Sequence, residues 1–151
     1  AEERPGAFNS PREYGLSQSH KHLPEMAGIS GLESYPVFCP IVADFYSGML
    51  VTVPLFAKQL NPGFTLADIR VCYKKKFSGP VVRYAEAMDE AGFIASNALA
   101  GTDAMEVAAF GNDERMILCS RFDNLGKGAS GAAVQCINLM LGADETAGLV
   151  L

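Results

Sequence analysis

The stretch "AMEVAAFGNDERMILCSRFD" (104–123) decides the fold class. Two β-prone runs flank residues 111–114, "GNDE", which is a strong turn signal, so the stretch predicts an antiparallel hairpin. Strands and helices are predicted in mixed order on either side of it. That order, with the hairpin, favours an α+β fold over a doubly wound parallel sheet. We expect a mixed, largely antiparallel sheet with helices on one face.

Upstream of the hairpin, apolar segments predict further strands. The segments "ESYPVFCPIVADF" (33–45) and "SGMLVTVPLF" (47–56) are separated by a turn-like Ser47-Gly48 step, which makes them candidate antiparallel neighbours. A short strand is also predicted at "GPVVRYAEA" (79–87).

Two helices are predicted besides a short one at residue 24. Thr65, with Asp68 three residues further on, is typical of a helix N-terminus. Apolar side chains then recur at helical spacing, at Leu66, Ile69, Tyr73 and Phe77. The last helix begins after Asn124 and ends at Gly142, because glycine commonly follows a helix C-terminus.

Composition limits the possible partners. The chain has 151 residues, of which 49% are apolar, which is enough for a core; only the polar, turn-rich residues 1–12 favour disorder. Twelve basic against seventeen acidic residues give a net charge of −5, so no nucleic acid is expected. No apolar run approaches the roughly 18 residues of a membrane span, and the N-terminus lacks a signal-peptide pattern. We expect no membrane partner and a cytoplasmic location.

The four cysteines form no C-x-x-C pair and are widely spaced, at Cys39, Cys72, Cys119 and Cys136. This pattern predicts buried free thiols in a reducing compartment rather than zinc ligands.

The first candidate for chemistry is "SHKHLPEM" (19–26). If this segment is extended, His20 and His22 project to one face. An imidazole can give or take a proton near neutral pH, Lys21 attracts a phosphate or carboxylate, and Glu25 can orient an imidazole.

Two other interpretations of the histidines stay open. In one, they are exposed residues before a helix that begins at Pro24 and carries Glu25 in its first turn. In the other, two imidazoles bind a metal ion. No third or fourth ligand is evident nearby, so no metal is expected.

The second candidate is "DNLGKGASGAAVQ" (123–135). Its three glycines permit close backbone approach at a helix N-terminus, where amides and the helix dipole favour an anion. The alternative is tight helix packing through the small residues Ala129, Ala132 and Ala133.

Together, these stretches resemble the N-acetyl-γ-glutamyl-phosphate reductases. "YGLSQSHKHLPEM" (14–26) is similar to that family's His-Arg/Lys-His-x-Pro-Glu segment. "FDNLGKGASGAAVQCINLMLG" (122–142) is similar to its C-terminal Asp-Asn-Leu, Lys-Gly-Ala and Ala-Val-Gln signature. "PIVADFYSGMLVTVPL" (40–55) falls where the family has a strand pair, so the resemblance covers essentially the whole chain. At Tyr46-Ser47 the chain departs from the Asn-Arg-like pair of many relatives.

The resemblance implies a fold and a reaction. The fold is that of a glyceraldehyde-3-phosphate-dehydrogenase-like C-terminal domain. The reaction is the NADPH-dependent conversion of N-acetyl-γ-glutamyl phosphate to N-acetylglutamate semialdehyde plus phosphate in arginine biosynthesis. The family's Gly-rich NADP loop and its nucleophilic cysteine motif do not occur in this sequence. We therefore expect part of a longer enzyme, inactive alone, with NADP bound mainly by the missing domain.

The resemblance also implies roles for individual residues. His20 and His22 are the expected catalytic residues, one of them as acid/base partner of the absent cysteine, and the sequence does not rank them. Substrate-binding roles are expected for Ser19, Lys21 and Glu25. The loop expected to contact the cofactor comprises Asn124, Gly126, Lys127, Gly128 and Ala129.

The expected organisation is a catalytic and dimerisation domain at residues 1–123, followed by a C-terminal helix at 124–151 that returns to the missing NADP-binding domain. The expected partners are a small-molecule acyl phosphate and further copies of the chain, in a dimer or tetramer. The alternative function is a stand-alone, non-catalytic binding or dimerisation module derived from the same family.

Overall fold

A computed structural model of the chain describes residues 5–151 and divides into two units, Ala1–Tyr46 and Ser47–Leu151. The first unit contains a 3-10 helix at Gly6–Asn9, strand β1 (Arg12–Glu13), helix α1 (Leu23–Ser30) and strand β2 (Ile41–Val42). Residues 1–4 of the segment expected to be disordered lie outside the described residues. The expectation of disorder is wrong for the remainder, since it holds the 3-10 helix and part of β1.

The predicted strand over residues 33–45 is mostly wrong. Only Ile41–Val42 is a strand, and it pairs antiparallel with Arg12–Glu13 rather than with residues 47–56. Pro36 and Pro40 lack backbone N–H donors, so a continuous ladder across this segment is not available. The backbone N–H of Tyr14 donates to the carbonyl of Pro40 at 3.0 Å, which extends the β1–β2 contact by one bond.

The second unit is built on a four-stranded sheet in the order β3-β6-β5-β4. Its β4–β5 pair is parallel and its other pairs are antiparallel, so the predicted mixed, mostly antiparallel α+β fold is confirmed. The elements are β3 (Met49–Phe56), α2 (Leu66–Lys76), β4 (Val82–Tyr84), β5 (Met105–Gly111), β6 (Arg115–Phe122) and α3 (Gly131–Leu141).

The predicted hairpin is the centre of this sheet. β5 pairs with β6 through the expected turn, where the side-chain oxygen of Asn112 accepts hydrogen bonds at 2.9 Å from the backbone N–H groups of Glu114 and Arg115. Alternate residues of β5 face opposite sides of the sheet. Ala109 packs in one buried cluster and Ala108 in another, so both faces carry core.

Helix α2 covers one of these faces. It begins as predicted, because the carboxylate of Asp68 accepts hydrogen bonds from the hydroxyl and the backbone N–H of Thr65, at 2.7 and 2.8 Å. Leu66 is buried against Ala109 and Met116. The predicted inward face of the helix is therefore confirmed at its first turn.

Strand β3 is an edge strand. It pairs only with β6, which corrects the predicted pairing with residues 33–45. Four of its apolar residues are at least 40% exposed, namely Met49, Val51, Val53 and Phe56. An exposed apolar edge strand of this length is uncommon in a monomeric protein, because it offers both unpaired backbone groups and apolar surface to another chain.

The C-terminal segment ends as the sequence predicts. Gly142 follows α3 in the left-handed conformation, with φ +67°. Beyond it, the backbone of Val150 exchanges hydrogen bonds with Asp103, whose N–H donates to the Val150 carbonyl and whose carboxylate accepts the Val150 N–H at 2.9 Å. The division into domains at residue 123 stays a prediction, since it rests on a domain outside this chain.

Burial of the cysteines is predicted correctly for only one of them. Cys119 is buried, whereas the other three are exposed, at Cys39, Cys72 and Cys136. Cys39 lies in the segment that forms no strand, and the helices that carry the other two leave much of their surface uncovered. Within residues 5–151, no helix is both long and apolar enough to cross a membrane.

Candidate active site

The histidine turn, residues 18–25, is not extended. Gln18 has a left-handed φ of +54°, and His22 has helical backbone angles of −82° and −11°. The expected alternation of side chains along a strand is therefore the wrong reason for the histidines to meet. They meet because the chain turns, which brings the centroids of the two imidazole rings to 5.0 Å.

Glu25 orients His22. Helix α1 starts at Leu23 with Pro24 and Glu25 in its first turn, close to the predicted start. Its first turn places a carboxylate oxygen of Glu25 2.8 Å from Nδ1 of His22. A carboxylate only accepts, so Nδ1–H donates and the neutral ring keeps its lone pair on Nε2. The side chains of His22 and Glu25 are 48% and 68% exposed, so this nitrogen can be reached from solvent.

The hydrogen-bond roles of the two ring nitrogens are reversed in His20. Its Nδ1 accepts a hydrogen bond from the backbone N–H of His22 at 3.3 Å, so the neutral ring carries its proton on Nε2. The rings of Tyr14 and Phe38 approach it edge-on, with centroids at 5.8 and 5.0 Å. One imidazole thus offers an acceptor at Nε2 and its neighbour offers a donor.

The remaining predicted substrate residues lie in the same turn. Lys21 is exposed between the two histidines. Ser19 shares a hydrogen bond of 2.7 Å with the hydroxyl of Ser17. The substrate-binding roles of Ser19, Lys21 and Glu25 stay predictions. In the part of the chain that the structure describes, no group of three or more histidine, cysteine or acidic side chains is placed to hold a metal ion.

The second candidate site is organised by a residue that sequence reasoning missed. Asp123 is 2% exposed, and its carboxylate accepts four hydrogen bonds. Its donors are the Ser47 hydroxyl at 2.8 Å and the backbone N–H groups of Gly101, Leu125 and Gly126 at 2.6, 2.6 and 3.1 Å. Burial opposes ionisation, but these bonds outweigh it and lower the pKa of Asp123 from 3.8 to about 2.

The Asp123 hub, meaning this carboxylate and its four donors, fastens the predicted cofactor loop. Beside it, the side-chain oxygen of Asn124 accepts the backbone N–H of Gly48 at 2.8 Å. Gly48 has φ +127°, and a Cβ there would lie 2.5 Å from the carbonyl oxygen of Ser96. Only glycine fits so close an approach. Ser47, at the position where the sequence departs from the resemblance, is a buried donor to the hub.

The glycines of the loop serve close packing. A Cβ at Gly126 would overlap the carbonyl oxygen of Thr102, and one at Gly131 would overlap the carboxylate of Asp103. The backbone N–H of Gly128, in the same loop, is also hydrogen-bonded, since it donates to the Asp123 carbonyl at 2.8 Å. Close packing in this loop is therefore made by glycines, and the alternative of helix packing through Ala129, Ala132 and Ala133 stays a prediction.

Lys127 is held within its own unit. Its ammonium donates to the side-chain oxygen of Gln135 at 2.5 Å, and the amide nitrogen of Gln135 donates to the carboxylate of Glu145 at 2.9 Å. Residues Gly126–Ser130 form one π-helical turn, a distortion often found at functional sites. Gly128 and Ala129 are exposed on this turn. Cofactor contacts of the loop stay a prediction.

The buried Arg121, two residues before Asp123, is the centre of an ion network. Arg121 donates to Glu106 at 2.8 Å and to Glu90 at 3.1 Å, and Arg83 donates to Glu106 at 3.0 Å. Burial opposes ionisation of Glu106, but its bonds to Arg121 and Arg83 lower its pKa below the usual value. Because Glu90 and Gly101 lie in the same long connection, Arg121 and Asp123 fix that connection at two points.

Several known proteins are similar to this chain. N-acetyl-gamma-glutamyl-phosphate reductase 2 of Nostoc sp. is 42% identical over 144 residues, which cover 90% of this chain and 45% of that protein. N-acetyl-gamma-glutamyl-phosphate reductase of Rhizobium meliloti is 43% identical over 135 residues, which cover 86% of this chain and 44% of that protein. The Brucella ovis reductase of the same name is 39% identical over 134 residues, covering 85% and 43%. The chain spans about half the length of these curated relatives.

The fold and the site together define an α+β domain that carries an exposed imidazole–carboxylate pair and a loop fastened to a buried carboxylate. Residues 2–124 match the family described as "Semialdehyde dehydrogenase, dimerisation domain". The chain belongs to this family.

Proposed function

We propose that this chain is one part of a longer NADPH-dependent reductase that converts N-acetyl-γ-glutamyl phosphate to the semialdehyde and phosphate. The observation that carries the proposal is the His22–Glu25 pair, which presents a free Nε2 to solvent on the stretch that resembles the reductase motif. The names and the 42–43% identity of the relatives support the same substrate.

In this proposal His22 is the general acid/base. Its Nε2 takes the proton of a cysteine thiol that lies outside this chain, and the thiolate then attacks the acyl carbon and displaces phosphate. Glu25 stabilises the imidazolium that forms, because its carboxylate stands 2.8 Å from Nδ1. The pair therefore holds the ring in the tautomer that a base requires.

His20 and Lys21 have a complementary task. The Nε2–H of His20 donates to an oxygen of the substrate that carries negative charge, and the Lys21 ammonium adds a positive charge beside it. Ser19 supplies a further hydroxyl in the same turn. Hydrogen-bond donors fixed before the reaction stabilise charge without reorganisation. This assignment ranks the two histidines, which the sequence alone left unranked.

Bound NADPH supplies the hydride in this reaction. The residues of this chain that we propose to face it are Asn124, Gly126, Lys127, Gly128 and Ala129. The fit is supported by the exposed Gly128 and Ala129, which leave room for a planar ring because glycine has no side chain and alanine only a methyl group. The amide nitrogen of Asn124 is a second contact, since its oxygen is already engaged by Gly48. The main binding of NADP falls to the part outside this chain.

We also propose that a second copy of the chain covers strand β3. The support is the family's description as a dimerisation domain, together with the exposed apolar side chains of Val51 and Val53 on an edge strand. A Val53→Lys variant places a charge on this surface and is expected to weaken association. Sedimentation equilibrium of both proteins at micromolar concentration is the test; a wild-type chain that stays at 16.1 kDa at every concentration contradicts the proposal.

The catalytic proposal is tested with two proteins. One is the longer polypeptide encoded by the gene of this chain, and the other is the 151-residue chain alone. We expect phosphate-dependent reduction of NADP with N-acetylglutamate semialdehyde only for the longer protein. Turnover by the chain alone, or a gene whose product lacks a nucleophilic cysteine and shows no turnover, contradicts it. The second result favours a stand-alone, non-catalytic module.

A further inference from the structure

Gln18 makes an unusual pair of hydrogen bonds in the first unit. Its amide nitrogen donates to the carbonyl oxygen of Phe38 at 2.7 Å, and its amide oxygen accepts the backbone N–H of Phe38 at 2.9 Å. Both backbone groups of one residue are thus bound by a single side chain. This is the pairing that a neighbouring strand provides, supplied here by an amide.

We call these two hydrogen bonds between Gln18 and Phe38 the clamp. The clamp continues the contact between the segment after β1 and the segment before β2. Glu13 pairs with Ile41, and Tyr14 donates to the carbonyl of Pro40. Phe38 lies beyond the end of this short ladder. Among the hydrogen bonds of residues 5–151, only those of the Gln18 amide connect the backbone of Phe38 to the histidine turn. Gln18 adopts φ +54° to do so, which an L side chain rarely does.

Phe38 in turn contacts His20. The two ring centroids lie 5.0 Å apart at an interplanar angle of 64°, an edge-on arrangement that favours one ring orientation. Tyr14 bounds the same imidazole at 5.8 Å and 63°. The orientation of His20 decides whether its Nδ1 meets the N–H of His22, and hence which nitrogen carries the proton.

We propose that Gln18 is a positioning residue for His20, acting through the backbone and ring of Phe38. It keeps the imidazole in the orientation in which Nδ1 accepts from His22 and Nε2–H faces outward. The structural part of this inference stands on the contacts alone. Its consequence for turnover rests on the proposed function.

Two substitutions separate the clamp from the backbone conformation. Gln18→Gly adopts the left-handed conformation freely, and Gln18→Asn tolerates it, but neither side chain can reach both backbone groups of Phe38. Phe38→Leu keeps the clamp and removes the ring. Gln59→Asn is the matched control, since Gln59 also bonds a backbone N–H with its side chain, that of Phe56 in the second unit.

The measurement is the nitrogen and proton chemical shifts of both imidazoles in the isolated chain, which report tautomer and ring environment without substrate. We expect His20 to be mainly the Nε2–H tautomer in the wild-type chain and in Gln59→Asn. We expect a mixture of tautomers and shifted ring protons in both Gln18 variants and in Phe38→Leu. Wild-type His20 signals in both Gln18 variants overturn the proposal, as does a wild-type spectrum for Phe38→Leu.

A second readout distinguishes failure of this inference from failure of the proposed function. In the longer protein, Gln18→Asn is expected to lower kcat roughly 10-fold with KM changed less. If the longer protein has no reductase activity but the His20 tautomer still depends on Gln18, the positioning stands and the proposed function fails. If activity is present and neither kcat nor the tautomer responds, the positioning role is wrong.

Discussion

In the histidine turn, His22 and Glu25 meet at 2.8 Å with both side chains open to solvent, whereas Asp123 is 2% exposed and accepts four hydrogen bonds. Glu25 and Asp123 are both carboxylates that accept hydrogen bonds, but the two sites are suited to different tasks. An exposed imidazole can exchange a proton with a substrate. A buried carboxylate with every donor in place fixes backbone segments and resists protonation.

The difference has a physical origin in what surrounds each group. The first unit buries few side chains, Leu23 among them, and its turn is shaped by bonds between neighbouring residues and by the Gln18–Phe38 pair, which spans 20 residues. The hub instead joins positions up to 76 residues apart, Ser47 and Asp123. Substitution of a side chain in the histidine turn should therefore lower the reaction rate, and loss of the Asp123 hub should lower the free energy of unfolding.

Replacing His22 should separate activity from stability most clearly. In the longer protein, His22→Asn is expected to lower kcat by roughly 10²–10⁴-fold, because the nitrogen proposed as the acid/base is lost. The free energy of unfolding should change by no more than about 0.5 kcal/mol, since the ring is exposed. Steady-state kinetics and denaturant unfolding measure the two, with Glu33→Gln as an exposed control. A large loss of stability would place the histidine in a structural role.

Removing the hub carboxylate should do the reverse. Asp123→Ala leaves the Ser47 hydroxyl and three backbone N–H groups without their acceptor in a buried position. We expect the free energy of unfolding to fall by about 3–5 kcal/mol. Asp144→Ala is the control, because that exposed carboxylate bonds the neighbouring Thr146, and a much smaller loss of stability is expected. Equal effects in the two variants would contradict the contrast.

The hub should also govern stability in acid. The pKa of Asp123 is lowered from 3.8 to about 2 on folding, so its contribution is fully present above pH 4 and is lost as pH falls toward 2. The loss should amount to about 2 kcal/mol. Glu106, Asp68 and Asp144 also have lowered pKa values, so the wild-type chain loses more in total. Comparing the pH dependence of unfolding with that of Asp123→Asn isolates the Asp123 part, and parallel curves would refute it.

Glu25 should give the smallest effect. Glu25→Gln keeps the shape of the side chain but removes the charge that stabilises a protonated His22. We expect kcat to fall roughly 10-fold in the longer protein, with no measurable change in unfolding free energy. A rate close to wild type would mean that the 2.8 Å contact does not act in the reaction.

Local signals made much of this structure predictable. The hairpin, the Thr65 cap and the orientation of an imidazole by Glu25 depend on residues within a few positions of each other, and all are observed, the last at His22. The strand predicted over residues 33–45 failed because Pro36 and Pro40 interrupt its ladder. Its pairing was wrong because the partner lies in β1, which no short-range pattern indicates. Asp123 was missed for the same reason. Its position directly after a strand and before Asn-Leu was the available signal, but Ser47 and Gly101 become its donors only in the fold.

The central claim is that Glu25 acts through His22 as one acid/base unit, and a double-substitution cycle on kcat tests it most directly. The longer protein is compared with His22→Asn, Glu25→Gln and the combined variant under saturating substrate. We expect the combined variant to be no slower than His22→Asn within about 2-fold, because Glu25 has nothing to orient once the imidazole is gone. Losses that multiply, or a His22→Asn rate near that of the wild type, would contradict it.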